Sequence, residues 1–261
     1  MHAIDMVKGE YIKELLNKGF RDGERGMYEY RPISIQNGII PNAEGSAQVD
    51  LGGTKILVGI KIDVDSPLPD KPGEGNLVTS AELLPLASAD YDVGPPSPEA
   101  IELARVVDRG IRASEAIDMK SLFIEEEKVW SLFIDIYVLN YDGNLFDAST
   151  LAAMAALRST RMPKYEDGKV IREGALPRLK VNSTVTSCTF AKINGKTVLD
   201  PNKGEEDIMD SRLTIATDGK YIRAMQKGLS GSMSYKTIEE LVDISFDKSK
   251  ELRNILDKAI D

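Results

Sequence analysis

The sequence predicts a mixed α/β fold of the α+β type, in which groups of strands bracket two central helices. Segments that alternate apolar and polar residues are separated by Pro/Gly-rich loops and by Gly-Gly or Asp-Gly turns, as expected of strands. Two segments in the middle of the chain have helical spacing instead. With 261 residues, 42% of them hydrophobic, the chain can bury a large core.

The N-terminal part is predicted to contain one helix followed by strands. Residues Asp5–Lys18 carry apolar side chains at helical spacing, and Gly19 is suited to end that helix. Ser46–Leu51 and Thr54–Val64 flank a Gly-Gly turn, which predicts a hairpin. After a loop with three prolines, Leu77–Leu84 is predicted to be a further strand.

The rest of the chain contains the two central helices, more strands and a terminal helix. The predicted elements are a helix that starts at Pro98 behind the N-cap Ser97, a strand over Val129–Leu139, a helix that starts at Asp147 or Ser149, strands around Val185–Lys192, Thr197–Leu199, Leu213–Thr217 and Tyr221–Gln226, and a helix over Ser234–Ile260. The second helix is rich in alanine and apolar on nearly all sides, so we expect it to be central and buried. Pro163–Pro177 is polar and is predicted to be irregular.

Charge and hydrophobicity limit the classes of function. The formal net charge of −9 argues against broad coating of nucleic acid, but it leaves room for a local basic groove. No apolar run approaches the ~20 residues that span a bilayer, and the N-terminus has no continuous apolar segment typical of a signal peptide. We therefore expect a cytoplasmic protein without a membrane partner.

Several catalytic chemistries lack the residues they need. The single histidine, His2, lies too near the N-terminus to be expected deep in a site, which removes Ser-His-Asp, Cys-His and Cys/His zinc chemistry. The single cysteine, Cys188, is expected to be a buried structural thiol in a strand. Nucleotide-binding loops of the Walker and dinucleotide types are missing from the sequence.

Three arginines form the most informative pattern. Arg105, Arg109 and Arg112 project within roughly 60° of one another on a helix of about 3.6 residues per turn. Leu103 and Val107 fall on the opposite side, where the core is expected. Guanidinium groups bind phosphate bidentately and keep their charge, so a polyanion is one interpretation of the stripe. A solvated face with local ion pairs to Glu102 and Asp108 is the other.

Several motifs together resemble the RNase PH family of phosphorolytic exoribonucleases. They are Arg21-Asp22-Gly23-Glu24-Arg25 with Arg31-Pro32-Ile33, Gly45-Ser46-Ala47-Gln48-Val49 with Gly53-Thr54-Lys55-Ile56-Leu57, the arginine helix, Asp142-Gly143 before the alanine-rich helix, and Asp210 before an alternating strand. Residues 75–115 are most similar to the non-catalytic ring subunits of archaeal exosomes. The resemblance implies one RNase PH-like domain over 1–261, with mixed or antiparallel sheets flanking central helices. Its N-terminal core subdomain would span 1–158 and its C-terminal α/β subdomain 180–261.

In this family an inorganic phosphate attacks the last phosphodiester of an RNA 3′ end and releases a nucleoside diphosphate. Active members hold that phosphate with hydroxyl, arginine and amide donors at a helix N-terminus. Here the corresponding loop continues as Asn144-Leu145-Phe146-Asp147. Leu145 and Phe146 offer no side-chain donors, and Asp147 is expected to repel phosphate by roughly 4 kcal/mol at about 4 Å and an effective dielectric of 20. We predict a degenerate phosphate loop.

The carboxylates also depart from the pattern of active members, which have two aspartates six positions apart. Asp210 matches the later position, but Gly204 stands at the earlier one. Glu205, Glu206 and Asp207 lie nearby and could substitute, with Asp207 and Asp210 as the residual carboxylates. A solvated acidic turn is the alternative interpretation of this segment. We therefore predict no catalytic residue, no metal site and no cofactor in this chain.

The resemblance implies a non-catalytic subunit that pairs with a catalytic RNase PH-like paralogue, three such heterodimers forming a six-membered ring with RNA-binding cap proteins. Arg105 and Arg109 would contact single-stranded RNA, and Arg112 would either join them or pair with an acid in the core. Arg21, Arg25 and Arg31 are expected to form structural or interface ion pairs. Two alternatives stay open: a self-sufficient phosphorolytic exoribonuclease that uses Asp207 and Asp210 with a metal, and a pure scaffold whose arginines are neutralised internally.

Overall fold

The computed structural model describes residues 3–260, with side chains from residue 8 onward. His2 lies outside the described residues. Within 3–260 the α-helices are α1 (Ala3–Asn17), α2 (Pro98–Ala113), α3 (Leu145–Ser159), α4 (Lys203–Glu206) and α5 (Tyr235–Ile260). The strands of the same range are β1 (Ile33–Asn37), β2 (Gly45–Leu51), β3 (Thr54–Asp65), β4 (Asn76–Leu83), β5 (Phe123–Glu125), β6 (Lys128–Asn140), β7 (Lys164–Glu166), β8 (Lys169–Ile171), β9 (Thr186–Ile193), β10 (Lys196–Leu199), β11 (Ser211–Thr217) and β12 (Ile222–Gly228).

The larger sheet belongs to the N-terminal half of the chain. Its strand order is β1-β2-β3-β6-β4, and the short β5 pairs with the end of β6. All neighbours are antiparallel except β4, which runs parallel to β6. A parallel pair needs a crossover connection, and α2 supplies it by packing back against β4. The sheet is therefore mixed, as predicted.

The smaller sheet belongs to the C-terminal half and is antiparallel throughout, with the order β10-β9-β11-β12. Its central strand β9 is buried along nearly its whole length. On one face Phe190 and Leu213 pack against Leu241 and Leu252 of α5. The other face meets α3, where Thr150 and other small polar side chains hydrogen-bond across the contact.

The two central helices lie between the sheets. Helix α3 packs on β2 and β3 on one side and on β9 on the other, and α2 lies between β4 and β12. Residues 146–157 of α3 are all buried, which confirms the prediction for the alanine-rich helix. Small side chains let the helix lie close to both sheets, so α3 forms the centre of the core.

The structure corrects some of the predicted elements. Pro163–Pro177, predicted to be irregular, contains the short hairpin β7–β8. Strands β1 and β5 and helix α4 were not predicted, and α3 begins at Leu145 rather than at Asp147 or Ser149. Cys188 is buried in β9 as predicted, and burial raises the pKa of its thiol. No helix within residues 3–260 is long and apolar enough to cross a bilayer.

Candidate functional site

Helix α2 presents its arginines to solvent. It begins where Ser97 Oγ accepts a hydrogen bond from the backbone N–H of Ala100 and Pro98 takes the first helical position. Arg105, Arg109 and Arg112 are all exposed. The opposite side of the helix is buried, as predicted, with Leu103, Val107, Gly110 and Ile111 in the core. The spacing of the sequence therefore becomes a basic stripe on the surface.

The three arginines differ in how far their charge is offset. The Nε of Arg112 donates to Asp108 at 2.6 Å, and its Nη2 donates to the carbonyl of Leu77. Arg109 donates to the side-chain oxygen of Gln226 at 3.1 Å, a neutral partner. Arg105 makes neither a hydrogen bond nor a salt bridge with the side chains that the structure describes. The charge available to a ligand is thus concentrated at Arg105 and Arg109.

The loop before α3 is held in one conformation by its backbone and by a neighbouring segment. Asn144 is the N-cap and has left-handed backbone angles, with φ of 55°. Gly143 precedes it with φ of 85°, and a Cβ there would lie 2.4 Å from the carbonyl carbon of Asn202. Only glycine fits both the positive φ and this close approach. The segment around Asn202 therefore lies directly on the predicted phosphate loop.

The side chain of Asn144 is used inside the protein. Its Nδ2 donates to Asp200 at 2.8 Å and to Asp147 at 2.9 Å, and its Oδ1 accepts the backbone N–H of Asp147. Asn144 itself is fully buried. One amide thus joins the two carboxylates and caps α3, so its donors are not available to an incoming anion.

Asp147 does not face an incoming phosphate, which corrects the expected orientation. The residue is 3% exposed, and its carboxylate accepts hydrogen bonds from Tyr30, Asn144 and both the backbone N–H and the hydroxyl of Thr189. Burial raises the pKa of Asp147 to about 7, although these hydrogen bonds oppose the shift. Asp147 is therefore a polar contact between α3 and β9.

The carboxylate that meets the loop is Glu206, which the sequence indicated only as a substitute catalytic carboxylate and not as a partner of the loop. Its Oε1 accepts the backbone N–H of Asn144 at 2.9 Å, and its Oε2 accepts the hydroxyl of Tyr141 at 2.6 Å. Burial raises the pKa of Glu206, while the hydrogen bond from Tyr141 lowers it. The carboxylate of Glu206 thus accepts a backbone N–H at the N-terminus of α3 that would otherwise be free to bind an anion.

Among the described residues, the predicted residual carboxylates make no hydrogen bond to this loop. In the part of the chain that the structure describes, the carboxylate of Asp207 pairs only with Lys203, at 3.3 Å. The carboxylate of Asp210 accepts the backbone N–H of Asn194 at 3.0 Å and so closes the β9–β10 turn. Both residues are exposed. The alternative interpretation, a solvated acidic segment, describes their surroundings better than a catalytic pair does.

The two apolar loop residues are also used internally. Phe146 is 6% exposed, and the guanidinium carbon of Arg212 lies 4.2 Å from its ring centroid. Arg212 in turn pairs with Glu102 of α2, so of the two acids expected to offset the stripe one is engaged elsewhere and the other, Asp108, binds Arg112. Leu145 is half-buried.

Within the described residues, no group of three or more His, Cys, Asp or Glu side chains is placed to hold a metal ion.

The N-terminal arginines form buried structural ion pairs, as one of the two expectations had it. Arg21 binds Glu205 through two nitrogens at 2.8 and 2.6 Å. Arg31 binds Asp200 in the same bidentate way, and Arg25 adds a second guanidinium to that carboxylate at 2.7 Å. Burial alone would raise the pKa of Asp200, but the hydrogen bonds and charge of Arg31 lower it below its usual range.

We expect the replacement Asp147→Asn to change how stability depends on pH. The pKa of Asp147 is raised from 3.8 to about 7 in the folded state, so its contribution is greatest at low pH and is lost as pH rises from about 4 to about 7. Urea unfolding measures the free energy of unfolding of the variant and of the wild type. The variant's value minus the wild-type value should be larger at pH 7 than at pH 4, by up to about 4 kcal/mol.

The exposed Asp243 on α5 offers a matched control. The difference in unfolding free energy between Asp243→Asn and the wild type should stay nearly constant over the same pH range. A constant difference for Asp147→Asn as well would contradict the buried, ionisable state described for Asp147.

The two sheets, the buried helices between them and the glycine-Asn loop ahead of α3 define an RNase PH-like fold. The chain matches the model described as 3′ exoribonuclease family, domain 1, over residues 29–163, and the model of domain 2 over residues 183–248. Together these matches cover most of the chain. The protein therefore belongs to the RNase PH family of 3′ exoribonucleases.

Several of the proteins that are similar in sequence to this chain come from archaea. The chain is 49% identical to exosome complex component Rrp42 of Thermococcus gammatolerans over 100% of this chain and 98% of that protein, and 45% identical to Rrp42 of Methanothermobacter thermautotrophicus over the same shares. A solved chain of the Archaeoglobus fulgidus exosome with RNA bound to the active site is 41% identical, covers 97% of this chain and 99% of its own, and has a TM-score of 0.91. Rice Rrp46, at 15% identity over 92% of this chain and 99% of its own and a TM-score of 0.71, shares the fold.

Proposed function

We propose that this protein is a non-catalytic, RNA-contacting subunit of an archaeal exosome ring. The observation that carries the proposal is the separation of two features. The arginines of α2 are exposed and only partly offset, whereas the donors of the loop before α3 are used inside the protein. The first arrangement suits a polyanion, and the second leaves little capacity to hold a free phosphate.

The RNA part of the proposal rests on Arg105 and Arg109, with Arg112 as a weaker third member. Arg105 has no internal partner in the described residues, and the only partner of the Arg109 side chain is neutral. Guanidinium groups on one face of a helix can bind successive phosphates of a flexible strand. Such contacts give little sequence preference, which fits a complex that degrades RNA of varied sequence.

The absence of catalysis is proposed from the loop itself. Glu206 accepts the Asn144 amide, Asn144 binds two aspartates, and Phe146 lies under Arg212. An attacking phosphate would have to displace a carboxylate of its own charge sign, which costs energy in a partly buried site. Each of the carboxylates of Asp207 and Asp210 has a partner of its own, Lys203 for the first and a turn amide for the second, and this supports a structural role for both.

The assembly is proposed from the relatives. The chain is similar over nearly its whole length to archaeal proteins named exosome complex component Rrp42 and to solved chains of archaeal exosomes, which supports a place in such a complex. We propose that a catalytic RNase PH-like paralogue completes a heterodimer, that three heterodimers close a six-membered ring, and that RNA-binding cap proteins attach to it. A cytoplasmic location, without membrane contact, belongs to the same proposal.

RNA turnover separates this function from a self-sufficient exoribonuclease. The purified chain, incubated with single-stranded RNA, phosphate and magnesium, should release no nucleoside diphosphate. The same chain co-purified with its candidate catalytic paralogue should form a complex whose mass fits three heterodimers, and that complex should release nucleoside diphosphate. Release by the isolated chain would contradict the proposal and favour the self-sufficient enzyme.

RNA crosslinking separates the proposal from a pure scaffold. In the assembled complex without phosphate, RNA carrying photoreactive bases should crosslink to peptides of α2 in this chain. A complex that turns RNA over but yields crosslinks only to other subunits would favour the scaffold.

A further inference from the structure

A cleft of about 820 Å³ lies at the C-terminal end of α2, between that helix, residues 118–120 and the turn that joins β11 to β12. The exposed aromatic ring of Tyr221 lines it, together with Arg112, Lys120, Lys220 and Arg223. Five basic and four acidic side chains line the cleft, so its formal charge is positive in a chain whose net charge is −9. None of these groups has a role in the network around Asn144.

The cleft is continuous with the arginine stripe. Arg112 lines both the cleft and the shallow hollow that contains Arg105 and Arg109. From Arg105 to Arg112 the helix rises by about 10 Å toward the cleft. Although Nε and Nη2 of Arg112 are bonded to Asp108 and Leu77, its Nη1 has no partner among the described residues. A strand whose phosphates follow the stripe is therefore led to the cleft.

The ring of Tyr221 has the surroundings of a stacking platform. It is 52% exposed, and the turn holds its backbone because Asp218 accepts the N–H of Tyr221 at 2.8 Å. The guanidinium of Arg223 lies 5.1 Å from the ring centroid and is fixed by Asp218 and the carbonyl of Ala113. The ring is thus presented by a rigid support rather than by a loose side chain.

Among the basic residues that line the cleft, Lys220 has an ammonium group that can move away from the Tyr221 ring. Its ammonium lies 5.1 Å from the same ring and makes no salt bridge within residues 3–260. A base that stacks on Tyr221 can displace this ammonium at low cost, and the ammonium can then meet the phosphate of that nucleotide. Most of the acids are already engaged: Asp218 binds Arg223, Glu74 binds Lys71, and Asp118 caps the turn at Lys120.

We propose that this cleft binds one nucleotide of single-stranded RNA, with its base stacked on Tyr221 and its phosphate near Lys220 and Arg112. The inference rests on the proposed RNA contact of α2 and extends it from phosphate binding to base stacking. Stacking on an aromatic ring tolerates any base, so the cleft adds affinity without adding sequence preference.

The test measures binding of fluorescent single-stranded RNA to the purified chain at low salt by anisotropy. Tyr221→Ala should weaken binding about tenfold, because stacking of one base contributes on that scale. Tyr221→Phe keeps the ring and should bind within about twofold of the wild type. Tyr235, exposed at the start of α5, provides the matched control, and Tyr235→Ala should also bind like the wild type.

A second series uses RNA in which successive positions lack a base. One such position should weaken binding to the wild type but not further weaken binding to Tyr221→Ala, since both changes remove the same contact. The dependence of affinity on salt should be unchanged in Tyr221→Ala and weaker in Lys220→Ala, because only the lysine binds a phosphate.

The outcomes separate this inference from the proposed function. If Tyr221→Ala binds like the wild type while charge reversal of Arg105 and Arg109 abolishes binding, the cleft is not a nucleotide site and the proposed RNA contact stands. If the wild-type chain binds no RNA at all, both are overturned.

Discussion

Replacement of Asp200 by alanine is expected to lower the free energy of unfolding by about 3–5 kcal/mol, because it leaves buried guanidinium groups without their carboxylate. Asp200 is fully buried and accepts hydrogen bonds from Arg31, Arg25 and Asn144. A buried charge that loses its partner is much more costly than a surface pair that does so. Urea or thermal unfolding of the purified chain measures the effect.

The control for this prediction is Asp257→Ala, which removes a surface ion pair with Arg158. The Asp257 side chain is 53% exposed, so its loss should cost below about 1 kcal/mol. Similar losses for the two variants would show that the network around Asp200 does not stabilise the fold as described. The wild-type advantage over Asp200→Asn should also decline in acid, since the lowered pKa of Asp200 makes its contribution disappear as pH falls below about 4.

Simultaneous exchange of Arg105 and Arg109 for glutamate is expected to weaken RNA binding by about 100-fold. Each arginine would lose a charge-assisted hydrogen bond to phosphate, at about 1.5–3 kcal/mol each, and the new carboxylates would repel the strand. The dependence of affinity on salt should also become weaker, because fewer counterions are released. Binding and RNA turnover by the assembled complex measure both effects.

Two control variants limit the interpretation of this result. Arg178 is exposed and lies outside α2. Arg178→Glu changes the net charge by half as much as the double glutamate exchange does and leaves the stripe intact, so this variant should bind RNA nearly as well as the wild type. Arg105→Lys with Arg109→Lys keeps the charge and should retain most of the salt dependence. Unchanged RNA turnover with the glutamate pair would leave only the scaffold role.

Elements with a strong period and clear ends were predictable from the sequence. Helix α2 has a serine N-cap, a proline in its first turn and a core face that the spacing identifies. The hairpin β2–β3 follows from alternation around two glycines. The short elements β1, β5, β7, β8 and α4 were missed because three to five residues carry too little periodicity. The division into residues 1–158 and 180–261 stays a prediction.

In the candidate site, the exposure of the arginines could be predicted from the sequence, but the contact of Glu206 with the loop could not. The exposure of the arginines follows from helical spacing alone, so their surface position was correctly predicted. The role of Glu206 depends on contacts between residues about sixty positions apart, which no local pattern reveals. One signal was present: Asn202 and Glu205 form a capping box, whose spacing predicts a helix that starts after Asn202 and contains Glu206.

The direction of Asp147 illustrates a further limit. A carboxylate in the first turn of a helix is usually at the surface, where it interacts with the helix dipole. Here the helix is enclosed between two sheets, and Tyr30 and Thr189 from distant parts of the chain provide the partners. The environment of a residue on a buried helix is decided by what packs on it, and that information is not local.

Because the single amide of Asn144 bridges Asp200 and Asp147, a one-residue exchange cannot convert this loop into an anion receptor. A residue with a hydroxyl group or a longer cationic side chain at that position would remove the hydrogen-bond donor of both carboxylates. Glu206 would still accept the backbone N–H at the N-terminus of α3. Redesign toward catalytic competence therefore has to rebuild three chain segments together, and every partial step along that route passes through a less stable molecule.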